Sequence, residues 1–235
     1  MSDRLLLVRH GVTDWNREGR FQGHLDPPLS DDGRAEAKLL AARLAASPDL
    51  RPRRIVSSPL LRALETAEAI AEATGIPAAE VRRDQRLVEL GQGAWEGRTH
   101  AELAVIDAER YAAWRKGAWD RQPPDGEPVE AARERVSAAI AEAVGDGAGA
   151  AGNGAGAAGW PLCLVGHGGS LRLAASWLLG LDRATAWSLE LDNASLSILD
   201  RTDGEWRLVT WNDVGHLLGR AVQHTGEEDG EPLAL

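Results

Sequence analysis

The chain has 235 residues, of which 43% are hydrophobic and 26% are charged. These proportions are ordinary for a soluble globular protein and exclude a collagen-like, coiled-coil or wholly disordered chain. Acidic residues outnumber basic residues by 36 to 26, which gives a formal net charge of -10. We expect no nucleic-acid partner, because attraction to phosphate supplies most of the affinity of nucleic-acid-binding proteins.

The first half of the chain alternates short apolar runs, typical of buried strands, with longer segments of helical periodicity. In chain order, the predicted elements are a strand over Leu5–Val8, a loop over Gly11–Leu29, a helix over Asp31–Ala46 capped by Ser30, a strand over Arg54–Ser57, a helix from Ser58-Pro59 to Gly75 and a strand over Val81–Arg83. The helix starts rest on the capping preference of serine and on the preference of proline for the first helical turn.

The second half of the chain continues this alternation. The predicted elements are a helix from a capping box at Thr99–Glu102 to about Lys116, a turn-rich break over Pro123–Pro128, a helix over Val129–Val144, a strand over Leu162–Val165, a helix from Gly168 to Leu179 closed by Gly180, and strands over Ser195–Leu199 and Trp206–Trp211 joined by a turn at Asp203-Gly204. Alternating strands and helices predict an α/β fold, a three-layer sandwich in which helices flank a mainly parallel central sheet.

Residues 145–159 consist of glycine and alanine apart from one Asp and one Asn, and they contain the pattern G-x-G-x-x-G twice. A dinucleotide-binding fingerprint follows a strand and opens a helix, whereas this segment follows a predicted helix and precedes the strand at Leu162. We interpret it as a flexible loop within one domain that spans residues 1–224. The acidic residues 225–235 predict a disordered tail.

The amino terminus and the single cysteine indicate the cellular compartment that we expect for this protein. Leu5–Val8 is only four residues long and is followed at once by Arg9 and His10, which is not the pattern of a signal peptide. No segment approaches the ~20 apolar residues of a membrane span. Cys163 stands in an apolar run with no second cysteine to pair with, and we expect a buried, unreactive thiol. We therefore expect a cytoplasmic protein without a membrane partner.

Two histidines directly follow apolar strands. Arg9-His10-Gly11 ends the first predicted strand, and Gly166-His167-Gly168 ends the strand at Leu162–Val165. Ligands of open α/β sheets bind at the carboxyl ends of the strands, and the helix that begins at Gly168 would present free N–H groups to an anion. Taken alone, each motif could also be an ordinary surface arginine or loop histidine.

Two further side chains complete a possible site. Arg62 stands in the first turn of a predicted helix, where a guanidinium could bind phosphate oxygens, and Glu89 is flanked by apolar residues that would raise its pKa toward the range of a general acid. Either could instead be structural. Two arginines and two histidines together suit a dianionic phosphoryl group, and a neutral imidazole can be a nucleophile. We see no metal-ligand pattern and expect neither metal nor cofactor.

The order of these motifs resembles the signature of the histidine phosphatase superfamily, whose best-known branch is the phosphoglycerate mutases. The residues that carry the resemblance are Leu7–Gly11, Thr13, Trp15-Asn16, Gly19-Arg20, Gln22-Gly23, Pro28–Ser30, Gly33, Ser57–Pro59, Arg62, Glu65–Ala67, Glu89, Gly93, Trp95–Gly97 and Val165–Gly169. The resemblance covers the chain from Leu5 to Trp211 and implies a phosphoglycerate mutase-like fold.

The resemblance also implies roles for the site residues. His10 would be the nucleophile that takes the phosphoryl group, and Arg9, Arg62 and His167 would neutralise the phosphoryl oxygens. Glu89 would protonate the leaving oxygen and then take a proton from the attacking water. Further substrate contacts are implied for Gly11, Asn16, Gln22, Gly23 and Gly168.

The stretch after Glu89 bears on the acceptor of the phosphoryl group. The mutases have a pattern similar to E-R-x-Y-G-x-L-x-G-L-N-K, whereas this chain reads Glu-Leu-Gly-Gln-Gly-Ala-Trp-Glu-Gly-Arg-Thr. The form G-x-W-E-G-x-T resembles the phosphatase branch, which implies a metal-independent phosphatase of a small phosphate monoester with a phosphohistidine intermediate. A phosphoglycerate mutase and a non-catalytic phospho-ligand-binding module remain the alternatives.

A narrower resemblance concerns the tryptophans and the late strands. The segments that are similar to actinobacterial glucosyl-3-phosphoglycerate phosphatases are Trp95 with Arg98–Ala101, Ala113–Arg115 with Trp119, Asn193–Ser195, and Trp206–Leu208 with Trp211-Asn212. This similarity implies glucosyl-3-phosphoglycerate as a substrate and a homodimer through the late strands. The chain has nine tryptophans, which either fill the core or, as for Trp114 and Trp119, line a sugar- or acyl-binding wall.

Overall fold

The computed structural model describes residues 3–117, 122–149 and 159–218. In these ranges six strands form a single sheet: β1 (Asp3–Arg9), β2 (Arg54–Ser57), β3 (Arg82–Arg83), β4 (Leu162–Gly166), β5 (Leu196–Thr202) and β6 (Glu205–Asp213). The spatial order is β3-β2-β4-β1-β5-β6. The first four strands in this order pair in parallel, while β5 and β6 are antiparallel to their neighbours. The predicted mainly parallel sheet is confirmed.

Eight α-helices are described in the same ranges: α1 (Asp14–Arg17), α2 (Asp31–Ala46), α3 (Leu61–Thr74), α4 (His100–Ile106), α5 (Ala108–Arg115), α6 (Val129–Gly149), α7 (Gly168–Leu179) and α8 (Arg183–Trp187). Helices α2 and α3 pack on one face of the sheet, and α6 and α7 pack on the other. The result is the predicted three-layer sandwich. Among these helices, none combines the length and the apolarity that crossing a membrane requires.

Strand β1 lies in the middle of the sheet and is buried on both faces. Leu5 and Leu7 face the core beneath α6 and α7, whereas Leu6 and Val8 face the core beneath α2 and α3. Each of these four side chains is fully buried. Burial of one such side chain contributes about 1.5–3 kcal/mol, so the strand is fixed firmly from both sides. This packing gives the residues that follow β1 a rigid base.

The helix predicted from Thr99 to Lys116 is in fact two helices, α4 and α5. The capping box at Thr99 is confirmed, but the backbone leaves the helical region at Asp107 (φ -139°, ψ 43°). The Asp107 carboxylate accepts a hydrogen bond of 2.9 Å from the indole N–H of Trp95. This contact with a distant part of the chain holds the break.

The prediction that Ser58-Pro59 begins a helix is wrong by two residues. Helix α3 begins at Leu61, after Leu60 in an extended conformation with no side-chain cap. The hydroxyl oxygen of Ser58 lies 2.8 Å from Nε2 of His167 and accepts a hydrogen bond of 3.3 Å from the Leu60 N–H. Because Ser58 contacts a histidine across the sheet, it belongs to the site rather than to a helix cap.

Three other helices differ from prediction. The predicted loop over Gly11–Leu29 contains α1, and α8 was not predicted at all. Helix α6 extends to Gly149 rather than Val144, so the first five residues of the predicted glycine-alanine loop are helical. A helical glycine costs about 1 kcal/mol relative to alanine, which the preceding helical turns offset. The remainder of that loop, residues 150–158, and the predicted tail at 225–235 lie outside the described residues.

The expectation for Cys163 is confirmed. Its thiol is fully buried in β4, and burial raises its pKa to about 12. The thiolate is the reactive form of cysteine, so this side chain is chemically inert in the folded protein.

Candidate active site

The carboxyl ends of β1 and β4 are neighbours in the sheet. Arg9 pairs with Gly166, and the His10 N–H donates to the Gly166 carbonyl at 3.1 Å. The histidines that follow these strands are therefore brought together, with the ring centroids of His10 and His167 separated by 5.2 Å. Both side chains are buried.

The ring of His10 has a defined tautomer. Its Nδ1 donates a hydrogen bond of 2.7 Å to the carbonyl oxygen of Gly11, and a carbonyl can only accept, so the proton is on Nδ1 and Nε2 carries a lone pair. Burial, then the positive charges of Arg62 and Arg9, hold the pKa of His10 well below its usual value. At neutral pH the ring is a neutral imidazole, which is the form that can act as a nucleophile.

His167 is fully buried and has one ring nitrogen available. Its Nε2 lies 2.8 Å from the Ser58 hydroxyl, while Nδ1 has no hydrogen-bond partner among the described residues. Burial and the charge of Arg62 lower the pKa of His167 well below its usual value. An unpartnered buried polar nitrogen costs about 1–3 kcal/mol, a cost that a ligand oxygen at this position would remove.

Two buried arginines supply the positive charge. Arg62 donates to the carbonyls of Leu25 and Gly23, each at 2.9 Å, and its buried Nε has no partner among the described residues. Burial lowers the pKa of Arg62 to about 10, so it is protonated at neutral pH. Arg9 is also buried and donates to the Leu191 carbonyl. Within the described ranges, no group of three or more His, Cys, Asp or Glu side chains could hold a metal ion.

Glu89 lies at the amino terminus of α7. Its Oε1 accepts hydrogen bonds from the N–H groups of Leu90 (2.8 Å) and Ser170 (3.1 Å), and its Oε2 accepts from the Gly169 N–H (3.1 Å). A helix amino terminus favours a negative charge and leaves N–H groups free for it. A Cβ on Gly169 would lie 2.6 Å from Oε1 of Glu89, so glycine is required for this close approach.

Three predicted contact residues lie directly on this site. Gly11 accepts from His10, and its own N–H donates to Oγ1 of Thr66 at 3.1 Å. Gly23 accepts from Arg62 through its carbonyl. Gly168 is the first residue of α7 and directly follows His167 in the chain.

The other two predicted contact residues, Gln22 and Asn16, differ in whether their side-chain oxygens have hydrogen-bond partners. The buried amide oxygen of Gln22 has no partner among the described residues. The Asn16 Oδ1 caps α1, because it accepts from the Thr13 N–H at 3.0 Å and lies 2.9 Å from the Thr13 hydroxyl oxygen. Contact of either side chain with a substrate stays a prediction.

No role was predicted for Asn193 from the sequence. Its Nδ2 donates to the His10 carbonyl at 3.0 Å, beside the Ala194 N–H, which donates to the same oxygen at 3.0 Å. Strand β5 is antiparallel to β1, so the residues that precede β5 lie beside the residues that follow β1. The antiparallel pairing of β5 with β1 is the observation from which the position of Asn193 could have been predicted.

A third buried arginine, Arg172, was also missed. Its Nε donates to the Leu189 carbonyl at 2.7 Å, and burial lowers its pKa to about 10. The available signal was an arginine between two leucines in an otherwise apolar helix. Arg172 and Arg9 together hold the segment from Leu189 to Leu191 through its carbonyl oxygens.

The aromatic side chains form a cluster beside the site. Phe21, Trp95, Tyr111 and Trp114 pack with ring centroids 5.3–6.0 Å apart. Trp114 is buried, which agrees with a role in the core rather than in a sugar-binding wall. Trp119 lies outside the described residues.

Comparison with known proteins identifies the family of this chain. The sequence pattern of the histidine phosphatase superfamily (branch 1) matches residues 5–214. The chain belongs to the histidine phosphatase superfamily. Its phosphoglycerate mutase-like fold and the family predicted from the sequence motifs are thereby confirmed.

Curated relatives align with nearly the whole chain. A probable phosphoglycerate mutase of Salmonella arizonae is 35% identical over 223 residues, covering 91% of this chain and 94% of the relative. Phosphoserine phosphatase 1 of Hydrogenobacter thermophilus is 32% identical over 215 residues, with coverage of 91% and 94%.

Solved structures of the superfamily are also similar. The mycobacterial glucosyl-3-phosphoglycerate phosphatase in complex with VO3 is 36% identical with a TM-score of 0.74, and the match covers 89% of this chain and 98% of that one. The α-ribazole phosphatase of Shigella flexneri is 29% identical with a TM-score of 0.75, covering 90% and 96%. The predicted similarity to glucosyl-3-phosphoglycerate phosphatases is therefore confirmed.

Proposed function

We propose that this histidine phosphatase superfamily member hydrolyses a small phosphate monoester through a phosphohistidine formed on Nε2 of His10. The observation that carries the proposal is the hydrogen bond from His10 Nδ1 to the Gly11 carbonyl, which leaves Nε2 unprotonated. The buried charges of Arg9 and Arg62 beside the ring are the electrostatic complement of a phosphoryl dianion.

In the first step, Nε2 of His10 attacks phosphorus and the bond from phosphorus to the ester oxygen breaks. Glu89 begins this step protonated and gives that proton to the departing oxygen, so the alcohol leaves neutral. The unpartnered Nε of Arg62 and the Nδ1 of His167 are suited to donate to the phosphoryl oxygens, the latter when Nε2 of His167 accepts from the Ser58 hydroxyl. The charge that develops in phosphoryl transfer is stabilised mainly by such donors.

In the second step, a water molecule attacks phosphorus and the P–N bond breaks, which returns the electron pair to Nε2 of His10. Glu89 takes the proton of that water and so recovers the proton it gave in the first step. Inorganic phosphate leaves and the starting state is restored. Since the arginines carry the charge that a metal ion would otherwise supply, we propose a metal-independent reaction.

Among small monoesters, we propose glucosyl-3-phosphoglycerate as the first substrate to examine. The support is the 36% identity to the mycobacterial phosphatase named for that substrate and the segments similar to such phosphatases, among them Trp95 with Arg98–Ala101 and Asn193–Ser195. A phosphoglycerate mutase is the second candidate, because a relative at 35% identity carries that name.

The test is a panel of phosphate monoesters that includes glucosyl-3-phosphoglycerate, 3-phosphoglycerate and phosphoserine, scored by kcat/KM for phosphate release. We expect one monoester to exceed p-nitrophenyl phosphate, and we expect the His10→Ala variant to release no phosphate above background. Interconversion of 2- and 3-phosphoglycerate primed by a bisphosphate, faster than any phosphate release, would favour the mutase instead. Normal hydrolysis by His10→Ala would refute both.

A further inference from the structure

Arg135 on α6 contacts the backbone of the segment that carries Glu89. Its Nη1 donates to the carbonyls of Arg86 (2.7 Å) and Val88 (2.8 Å), and its Nη2 donates to the carbonyl of Glu89 itself (3.0 Å). The residues from Val88 to Gly91 belong to no helix or strand, so sheet or helix hydrogen bonds do not fix them. Instead, the guanidinium of Arg135 fixes this backbone by donating hydrogen bonds to three carbonyl oxygens.

Glu127 completes the arrangement. Its carboxylate forms a two-pronged ion pair with Arg135, with Nε to Oε1 at 2.6 Å and Nη2 to Oε2 at 2.7 Å, and Oε2 also accepts from the Gly91 N–H at 3.2 Å. The side chains are only 18% and 17% exposed. Burial alone would raise the pKa of Glu127, but the hydrogen bonds and charge of Arg135 lower it, so the pair is ionised.

The segment around Glu89 is thus held on both sides. The backbone is fixed by Arg135 at residues 86, 88 and 89 and by Glu127 at Gly91, while the carboxylate is fixed by the N–H groups at the start of α7. His24 adds a contact of 2.9 Å from Nε2 to the Glu89 carbonyl. A proton donor must be within hydrogen-bond reach of the leaving oxygen, and a displacement of about 1 Å can cost about 100-fold in rate.

We propose that Arg135 and Glu127 are positioning residues for proton transfer by Glu89. Apart from their ion pair with each other, their side chains hydrogen-bond to the backbone of this segment and not to His10, so they act through the backbone that carries the acid. This inference rests on the proposed function, because it takes Glu89 as the proton donor. It predicts a defect specific to leaving groups that need a proton.

The experiment measures the rate of phosphoenzyme formation in single turnover with two substrates. Glycerol 3-phosphate has an alkoxide leaving group that requires protonation, whereas p-nitrophenyl phosphate has a leaving group that departs without a proton. For Arg135→Gln we expect a loss at least about tenfold greater with glycerol 3-phosphate, since general acid catalysis contributes about 10²–10⁴-fold. For Arg135→Lys we expect partial recovery of the wild-type ratio.

Arg133 provides the matched control. It lies on the same helix and pairs with Glu130 at 2.9 Å, but both of these side chains are about half exposed and neither contacts the Glu89 segment. We expect Arg133→Gln to keep the wild-type ratio of the two rates. If Arg135→Gln does not fold, Glu127→Gln decides, because it retains the carbonyl contacts of Arg135, removes the charge of the ion pair and leaves one oxygen instead of two to accept from Arg135 and the Gly91 N–H. We expect a shift of about three- to tenfold in its ratio, and a wild-type ratio would overturn the proposal.

The variant Glu89→Gln separates this inference from the proposed function. If Glu89→Gln lowers the glycerol 3-phosphate rate selectively and a folded Arg135→Gln lowers both rates equally, the positioning role is wrong while the function stands. If Glu89→Gln shows no selectivity, the proton-donor role fails and the inference fails with it. In the double variant that carries both Glu89→Gln and Arg135→Gln, we expect the same ratio of the two rates as in Glu89→Gln alone.

Discussion

His10 donates a hydrogen bond from its ring to the carbonyl oxygen of Gly11, the next residue in the chain, at 2.7 Å. Gly11 is held in turn, because its N–H donates to Thr66 and the next N–H, that of Val12, donates to Glu36 at 2.9 Å. The tautomer of the histidine is therefore set by a backbone that two neighbouring helices fix. The free ring nitrogen is the one we propose to be phosphorylated.

The first prediction concerns the protonation of His10. We expect long-range ¹H–¹⁵N NMR spectra at pH 6.5 to show a neutral ring with the proton on Nδ1, because burial and the charges of Arg62 and Arg9 lower the pKa. Arg62→Gln should raise the titration midpoint of His10, since one of those charges is removed. A proton on Nε2, or a midpoint at the ordinary histidine value, would contradict this assignment.

The second prediction concerns Asn193. Asn193→Ala removes one of two N–H donors to the His10 carbonyl but leaves the Ala194 N–H in place. We expect stability to fall by about 0.5–1.5 kcal/mol in urea unfolding, the usual contribution of one hydrogen bond. We also expect kcat to fall about tenfold with KM little changed, because the backbone of the nucleophile shifts. A kcat equal to that of the wild type would show that the contact plays no part in positioning.

Local patterns are sufficient for much of this fold. The unbroken apolar run of β1 reflects burial on both faces, and the serine at position 30 caps α2 where predicted, by accepting from the Gly33 N–H at 3.1 Å. The site residues at the ends of β1 and β4 could be predicted because parallel neighbours bring their carboxyl ends to one edge. His10 and His167 lie close together because β1 and β4 are parallel neighbours in the sheet.

The features that were missed depend on contacts between distant segments. The break at Asp107 depends on Trp95, twelve residues earlier, and the position of Ser58 depends on His167, which is 109 residues away. Asn193 reaches the site only because β5 is antiparallel to β1, which no local pattern states. Helix and strand propensities depend on residues that are close in sequence, whereas these contacts form only when separate segments pack together in the fold.

The third prediction concerns Gly169. In Gly169→Ala the new methyl group would lie 2.6 Å from Oε1 of Glu89 and 2.7 Å from Cδ1 of Leu90. Both atoms are at the ends of side chains, so we expect the fold to survive and the carboxylate to move. Activity with alkyl phosphates should then fall at least about tenfold, measured by kcat.

Gly145→Ala is the control for this substitution. Gly145 lies in α6, and a Cβ there would meet nothing within 4 Å. Alanine is favoured over glycine in a helix by about 0.5–1 kcal/mol, so this variant should be slightly more stable with unchanged activity. Equal activity of the two variants would mean that the close approach of Gly169 to Glu89 has no catalytic consequence.

The fourth prediction concerns stability against pH. Burial, and then the charge of Arg115, lower the pKa of His100 from 6.5 to about 4. The unfolded chain therefore binds a proton at a higher pH than the folded protein, so the contribution is present above about pH 6.5 and is lost as the pH falls toward 4. Between pH 7 and pH 5 we expect this residue alone to lower the free energy of unfolding by about 2 kcal/mol.

The measurement is urea unfolding at both pH values for the wild type and for His100→Gln, which cannot titrate. His10 and His167 shift in the same direction, so the wild type should lose more stability than His100 alone explains. The difference between the two proteins isolates His100. Equal losses of stability in the wild type and in His100→Gln would contradict the low pKa.

The most direct test of the proposed function is to trap the phosphorylated protein. We would mix the enzyme with p-nitrophenyl phosphate, quench it in alkaline denaturant to preserve a phosphoramidate, and map the adduct by mass spectrometry. We expect phosphate on His10, formed and lost at rates that match turnover and absent from His10→Ala. Phosphate on another side chain, or turnover with no phosphorylated protein at any time point, would contradict it.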